Sequence, residues 1–416
     1  MTSRSGAVSA AEERTTLRAL LHSRTFVALL AADVQSVIGD QIARVALSVL
    51  VFERTGSATA TALTYAATFV PAIVGGMAFS GLGDRYPRGP VMSGVALLRA
   101  ALFAAMAIPV LDMPVVVALL VLAVLLGPVF GSTEVAFLSD ALDEKQFAAA
   151  NGVRLTANQL SQVAGFAVGG LVVAVLGPRP TLLLNAATFL VAAGLVGWAA
   201  HTARLPSMSA HRSTSTGLRA AAAWFAHHRL MLALLGLSAL DGLFIVPEGL
   251  AVPFGHHVGA GTADVGILLA ALPLGSALGA AVLVRFVPYR ARPTAARWMA
   301  AGCGLPLVAT ALEPPWPVAF ACWALTGALT AFQVVAITSV AQAAPDAQRA
   351  GIIGFGWAVV IAAQGLGLAA FGGLARYLSP GTAIAVAGLL GSMLATYIAV
   401  RPLAHWTVEV GRARSV

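Results

Sequence analysis

Long apolar runs separated by short polar segments make up most of the chain. Each run has about 20 residues, the length that a helix needs to cross the hydrocarbon core of a bilayer. The pattern predicts twelve membrane helices, with Pro114, Pro178 and Pro315 at the tightest turns between them. The predicted spans are residues 25–52, 58–83, 90–111, 114–138, 149–177, 180–201, 229–255, 262–287, 295–313, 316–342, 349–378 and 381–401.

The longest polar segment separates these spans into two sets of six, which predicts two six-helix bundles. Near its end, the sequence GLRAAAAWFAHHR places Trp224 and Phe225 beside basic residues. Aromatic and basic residues together are typical of a helix that lies in the membrane interface. The predicted segments are a cytoplasmic N-terminal tail (1–24), an N-terminal bundle (25–201), a linker with an interfacial helix (202–228), a C-terminal bundle (229–401) and a C-terminal tail (402–416).

The two halves of the chain show a weak internal sequence repeat. The stretch QVAGFAVGGL at 162–171 has a counterpart in QGLGLAAFGGL at 364–374. Parallel repeats of six helices are the architecture of one large class of transporters. The sequence therefore predicts an all-α integral membrane protein in which 12 transmembrane helices form two bundles.

Composition supports a membrane protein and argues against a nucleic-acid partner. Hydrophobic residues make up 59% of the chain and charged residues 10%, whereas soluble domains carry about 25% charged residues. A net charge of +8 would suit nucleic acid. The basic residues are nevertheless scattered through short loops, so we expect a lipid bilayer as partner and no nucleic acid.

The distribution of arginine and lysine predicts the orientation of the chain. With the N-terminus inside, the cytoplasmic segments hold 20 of these residues, Arg154 among them, and the outer segments hold three. An excess of positive charge marks the cytoplasmic side of a membrane protein. Both termini are therefore predicted to be cytoplasmic, in a multi-pass protein of the plasma membrane.

A short polar segment, SGLGDRYPRGPVM at 80–92, lies in the predicted cytoplasmic loop between spans 2 and 3. It resembles the loop signature G-x-L-a-D-R-x-G-R-[RK] of the major facilitator superfamily. Its D-R-Y-x-R form resembles the drug and siderophore exporter branch, which includes enterobactin-exporter-like and macrolide-efflux-like proton antiporters. The matching positions are Leu82, Gly83, Asp84, Arg85 and Arg88. The chain departs from the signature at Ser80, Pro87 and Gly89.

The resemblance implies a role for this loop. In that family the matching residues form a latch between the two halves in the outward-facing state, so Asp84, Arg85 and Arg88 are the expected latch. The alternative is that these charges only set the topology, since the positive-inside bias alone explains the arginines. That alternative does not explain Asp84.

A second resemblance lies in predicted span 5. The stretch GFAVGG at 165–170 is similar to the G-P-x-x-G-G element of antiporters, with Phe166 in place of the proline. Gly165 and Gly169 are four residues apart and so share one helix face, and Gly170 follows them. Small residues allow close helix approach in membranes. Plain helix packing is therefore the alternative to a hinge role.

Charged residues inside predicted spans are candidate functional groups, because a charge at the bilayer centre costs about 2.5–3.5 kcal/mol. Asp40 and Arg44 are one turn apart in span 1 and can pair, and Arg99 in span 3 is a second candidate partner for Asp40. A paired Asp40 would be a structural strut, whereas an unpaired one could carry a proton. Asp33 is expected to be hydrated near the cytoplasmic end of its span.

The remaining acids follow from the resemblance. Spans 1, 4, 7 and 10 line the central cavity in this superfamily, which makes Asp40, Glu134, Asp241 and Glu248 candidate cavity acids. Such acids suit proton coupling and cationic or amphiphilic substrates. The alternative for each acid is a position at a loop end or in a helix–helix pair.

These observations predict a secondary active exporter of small hydrophobic or amphiphilic compounds, working by proton antiport and alternating access. An importer with the same fold is the alternative. An intramembrane enzyme is disfavoured because the sequence shows no metal-binding or nucleophilic constellation, and an ATP-driven pump because it shows no phosphate-binding loop. We expect a monomer that binds a small-molecule substrate and protons, with the proton gradient as energy source and no cofactor or metal.

Overall fold

The computed structural model of the protein describes residues 20–79, 86–202, 217–346, 348–403 and 406. Helices and turns make up this part of the chain, and no strand occurs within it. Twelve of its helical segments are long and apolar enough to cross a membrane. The all-α fold class and the number of spans predicted from the sequence are confirmed.

We number these segments spans 1 to 12 in chain order. They are Arg24–Thr55, Ala58–Ala78, Arg88–Met106, Met113–Ala141, Lys145–Leu176, Pro178–Thr202, Arg229–His257, Thr262–Phe286, Tyr289–Leu312, Trp316–Ala343, Arg349–Leu374 and Pro380–Val400. Spans 5 and 9 start several residues earlier than predicted, because apolar runs detect only the lipid-buried part of a helix. Span 3 ends earlier, at Met106, because Pro109 disfavours helical geometry in the residue before it.

Four spans are interrupted by one or more turns. Span 2 consists of Ala58–Ala66 and Val70–Phe79, and span 10 consists of Trp316–Leu329 and Phe332–Ala343. Span 7 consists of three segments, Arg229–Ala239, Asp241–Phe244 and Val246–His257. Span 9 consists of four, Tyr289–Ala291, Arg292–Gly302, Leu305–Val308 and Ala309–Leu312. At the first break of span 7, the N–H of Leu240 bonds to the carbonyl of Leu237, three residues back. Such tightened turns inside a helix often mark a functional hinge.

The chain divides into two compact units. Unit 1 comprises Met1–Ala46, Pro71–Val172 and Leu176–His211, and unit 2 comprises Leu47–Val70, Val173–Val175 and Arg212–Val416. The end of span 1 and the start of span 2 group with unit 2. One reason is a hydrogen bond of 2.7 Å that the Thr59 hydroxyl donates to the carbonyl of Gly372 in span 11. The bundle boundaries drawn at 25–201 and 229–401 stay a prediction.

A short helix, Leu218–His227, precedes span 7 and corresponds to the predicted interfacial helix. Its aromatic residues Trp224 and Phe225 are buried in the core of unit 2, and the Phe225 ring lies 5.8 Å from the ring of Phe355 in span 11. The helix therefore packs its apolar face on unit 2. Residues 203–216 of the linker lie outside the described residues.

Span 5 approaches span 1 closely through small residues. A Cβ atom at Gly165 would lie 2.9 Å from the carbonyl oxygen of Ile38, and one at Gly169 would lie 3.0 Å from the Cα of Ile42. Gly170, the third glycine of the predicted element, is also buried. Larger side chains at the first two positions would push the two helices apart.

Replacing Gly165 by valine is therefore expected to destabilise the protein. Overpacking of a tight contact typically costs about 1–3 kcal/mol. The matched control is Gly152→Val on the same helix, where nothing lies within 4 Å of the added Cβ. The thermal midpoint of the purified protein should fall for Gly165→Val well below that of the control. Equal midpoints for the two variants would show that the close approach is not required.

Candidate functional site

A buried carboxylate–guanidinium pair links spans 4 and 5 in unit 1. The side chain of Glu134 is 1% exposed, and its Oε2 lies 3.2 Å from NH1 of Arg154. NH2 of Arg154 also lies 3.4 Å from Oδ1 of Asn151, one turn earlier on span 5. Within the described part of the chain, Oε1 of Glu134 and Nε of Arg154 are buried without a hydrogen-bond partner. The pair therefore keeps one free acceptor and one free donor.

Span 1 adds a second acid to this pair. Asp33 is 9% exposed, so it is buried rather than hydrated as expected. Its Oδ2 accepts a 2.9 Å hydrogen bond from Nδ2 of Asn158, one turn beyond Arg154. The charge of Arg154 acts on Asp33, and the charge of Asp33 acts in turn on Glu134. We call Asp33, Glu134, Arg154 and Asn158 the charge cluster.

Arg154 is the functional candidate that sequence analysis missed. The orientation argument counts it as a cytoplasmic charge, but the structure places it inside span 5, facing Glu134. A signal was present in the sequence. Asn151, Arg154 and Asn158 recur at spacings of three and four residues, which puts them on one helix face. A polar face on a membrane helix points to protein or to a cavity rather than to lipid.

Asp40 is held by Arg99 in the same unit. NH2 of Arg99 lies 3.0 Å from Oδ1 and 2.9 Å from Oδ2 of Asp40, and joins spans 1 and 3. The guanidinium also stacks on Phe189 of span 6, with its Cζ 4.2 Å from the ring centroid. These contacts favour the strut interpretation of Asp40. Arg44 lies half-buried one turn further along span 1.

The strut interpretation makes a prediction about stability. Arg99 is 9% exposed. Replacing Asp40 by asparagine leaves the Arg99 guanidinium without a counter-ion. An unpaired buried charge costs about 3–5 kcal/mol. The double variant Asp40→Leu with Arg99→Met removes both charges and should recover most of the loss. Thermal midpoints of the singles and the double variant measure this. A double variant that is less stable than both singles would contradict the strut.

The expected latch is only partly described. Asp84 and Arg85 lie outside the described residues. Arg88 begins span 3 and pairs with Asp140 at the end of span 4, and it also donates to the carbonyl of Ala136. All three of these contacting residues belong to unit 1. The latch role of this loop stays a prediction.

In unit 2, Asp241 lies at the first break of span 7. Its Oδ1 accepts a 2.8 Å hydrogen bond from Nε2 of Gln333 in span 10, and its Oδ2 accepts a 2.6 Å bond from Nε2 of Gln364 in span 11. Among the described residues, no cationic side chain forms an ion pair with it. The sequence predicts Asp241 as a cavity acid but not its two amide partners.

Glu248, seven residues further along span 7, has a different environment. Its Oε2 accepts a 2.6 Å hydrogen bond from the hydroxyl of Tyr65 in span 2. The two residues therefore tie spans 2 and 7 together inside unit 2. The structure separates the two span-7 acids into one held by amides and one held by a tyrosine.

A polar cluster lies at the predicted outer end of unit 2, around Glu313, which directly follows span 9. Oε2 of Glu313 lies 2.8 Å from Nε2 of His257. A hydrogen bond from Ser379 and a weaker one from His257 hold the pKa of the Glu313 carboxyl below its ordinary value of 4.5. Glu313 also has a left-handed backbone, with φ at 50°, which is uncommon outside glycine.

This lowered pKa fixes the sign of a pH effect. A carboxyl with a depressed pKa in the folded state stabilises the fold above pH 4.5, and that stabilisation is lost as the pH falls through the lower value. Glu313→Gln should therefore lower the thermal midpoint at neutral pH. The difference from the wild type should shrink in acid, where the protonated carboxyl resembles the amide. A difference that stays constant with pH would contradict this.

The twelve spans define a multi-pass membrane protein, and comparison with known proteins gives the family. The family model described as Major Facilitator Superfamily matches residues 29–246, which is just over half of the chain. The protein belongs to the major facilitator superfamily. No curated protein matches the sequence.

Solved structures share the fold at low sequence identity. A bacterial homolog of the human lysosomal transporter Spinster, in an inward-facing and unoccupied conformation, is 14% identical with a TM-score of 0.68, covering 93% of this chain and 97% of its own. A bacterial homologue of the iron transporter ferroportin is 14% identical with a TM-score of 0.70, covering 91% and 98%. A D-xylose-proton symporter is 15% identical with a TM-score of 0.68, covering 90% and 96%. At these identities the likeness defines the fold alone.

Proposed function

We propose that the protein is a secondary active exporter of small hydrophobic or amphiphilic compounds, driven by proton antiport across the plasma membrane. Drugs, antibiotics, siderophores and other secondary metabolites belong to this class of cargo. The proposal places the protein in the drug and siderophore exporter branch, on the strength of the Asp84-Arg85-Tyr86 loop with Arg88. The single observation that carries proton coupling is the charge cluster of unit 1.

The charge cluster holds two carboxylates and one guanidinium. With all three groups ionised it carries one net negative charge, in a region where ions are poorly solvated. One proton makes the cluster neutral. The free Oε1 atom of Glu134 supplies the acceptor for that proton. A group that gains and loses one proton inside the membrane is what a proton-coupled transporter requires.

The geometry suggests how a proton would change the contacts of span 5. When Glu134 is ionised, Arg154 pairs with it and ties span 5 to span 4. When Glu134 is protonated, the guanidinium is drawn to the remaining charge, Asp33 on span 1. Asn158, one turn beyond Arg154, already joins span 5 to Asp33. In this proposal, proton uptake from outside and release inside drive the return of the empty carrier.

Proteoliposomes with a pH gradient and a clamped membrane potential test this function. Ethidium should accumulate inside liposomes whose lumen is more acidic than the medium, because an antiporter exchanges internal protons for external substrate. An uncoupler should abolish the accumulation. Accumulation only when the medium is the more acidic side would instead indicate proton symport, and hence an importer.

The charge cluster makes a specific prediction in the same assay. Glu134→Gln removes the titrating group and should abolish gradient-driven accumulation. Glu53→Gln is the matched control, because Glu53 is exposed at the end of span 1. Accumulation by Glu134→Gln at the wild-type rate would remove the cluster from the coupling mechanism.

A further inference from the structure

We infer that unit 2 binds the headgroup of an anionic phospholipid where spans 8, 9 and 10 reach the predicted cytoplasmic side. The phosphate would contact the arginines around the turn between spans 8 and 9, and part of an acyl chain would enter the pocket between the three spans. The inference uses neither the charge cluster nor the proposed direction of transport. It therefore stands apart from the proposed function.

The first argument is the charge around the turn between spans 8 and 9. Residues 265–312 contain no acid and four arginines, which are Arg285, Arg290, Arg292 and Arg297. Arg285 and Arg290 are exposed, and neither forms an ion pair within the described residues. The acid that follows span 10, Asp346, pairs with Arg349 instead. Unpaired arginines at a membrane surface attract anionic lipid headgroups.

The second argument is the fixed position of Arg292. Its Nε donates a 3.2 Å hydrogen bond to the carbonyl of Val287, and its NH2 donates a 2.8 Å bond to the carbonyl of Val284. Its Cζ also lies 5.7 Å from the ring centroid of Tyr289. Among the hydrogen bonds of the described residues, these two occupy two of the five N–H groups that a guanidinium carries. The guanidinium is therefore held in place with donors left for a phosphate.

The third argument is the pocket that Arg292 lines. Its lining comes from spans 8, 9 and 10, and it holds about 440 Å³ of space that no atom fills, part of it open to the surroundings. Ligand sites in proteins typically have volumes of about 300–1,000 Å³. Ser339 and Gln342 add polar groups to the lining, whereas Val284 and Val334 are among its apolar residues. A lining with both kinds of residue suits an amphiphile.

The surroundings of the pocket select the ligand. Val284 and Phe286, in the last turn of span 8, are 52% and 74% exposed, and an exposed apolar patch with a polar rim marks a surface that contacts a membrane or a partner. A free phosphate ion would gain nothing from these apolar residues. A zwitterionic lipid has no net charge for the arginines to attract. An anionic phospholipid of the cytoplasmic leaflet satisfies both requirements.

Native mass spectrometry of the full-length protein tests the site. The purified protein is titrated with dioleoyl phosphatidylglycerol or with dioleoyl phosphatidylcholine, which has the same acyl chains. The wild type should bind phosphatidylglycerol more tightly, by about tenfold or more, because each arginine near the surface contributes roughly fivefold. The double variant Arg285→Gln with Arg290→Gln should lose most of this preference. A double variant that keeps the wild-type preference would overturn the inference.

Two further variants control for charge and position. The double variant Arg285→Lys with Arg290→Lys retains both charges and should keep most of the preference. Arg376→Gln is the matched control at the predicted outer end of unit 2, where Cζ of Arg376 lies 5.4 Å from the ring centroid of Tyr377. It should bind phosphatidylglycerol as the wild type does. A loss in Arg376→Gln as large as in the glutamine double variant would show attraction to the net charge alone and would contradict a site.

A pocket variant and a competitor test the acyl chain and the source of the phosphate. Ser339→Trp would fill the pocket without changing a charge, so it should weaken phosphatidylglycerol binding while its thermal midpoint in phosphatidylcholine confirms the fold. Inorganic phosphate should not displace the bound lipid at matched concentration. Displacement by inorganic phosphate, or full binding by a folded Ser339→Trp protein, would contradict a lipid site. None of these measurements involves a gradient, so the site and the proposed function can fail separately.

Discussion

One guanidinium that pairs with a buried carboxylate, while a second buried carboxylate is held on the same helix by an amide, is the interaction on which the proposed mechanism depends. Because hydrocarbon solvates ions poorly, each charge must find a partner within the protein. Arg154 lies against Glu134 and its charge also acts on Asp33, so the three groups cannot all be neutralised in pairs. In the proposed mechanism, this excess negative charge allows a proton to bind at Glu134.

The two units meet the same constraint with different chemistry. In unit 1, arginines pair with Asp40 and Glu134, whereas Asp33 is held by the amide of Asn158. Unit 2 partners Asp241 with two neutral amides. In the proposed function, the unmatched negative charge of unit 1 is the place where a proton is exchanged.

The fold could be predicted from sequence far better than the site. Apolar runs of bilayer length predict the twelve spans because lipid imposes that length on every helix. Side-chain contacts between different helices cannot be predicted from local sequence patterns. The Asp40–Arg99 contact is foreseen only as one of two options, and neither the burial of Asp33 nor the pairing of Arg154 with Glu134 is foreseen. Gln333 and Gln364 meet Asp241 from positions about a hundred residues away along the chain, and no local pattern links the three residues.

The central claim, that Glu134 carries the exchanged proton, is tested most directly by separating net transport from exchange. Proteoliposomes loaded with unlabelled ethidium and placed in labelled ethidium, with no pH gradient, report exchange alone. The Glu134→Gln protein holds the charge cluster in its protonated form, so the account predicts exchange near the wild-type rate while uphill transport is absent. Loss of exchange in a correctly folded Glu134→Gln protein, to the same degree as uphill transport, would contradict the claim.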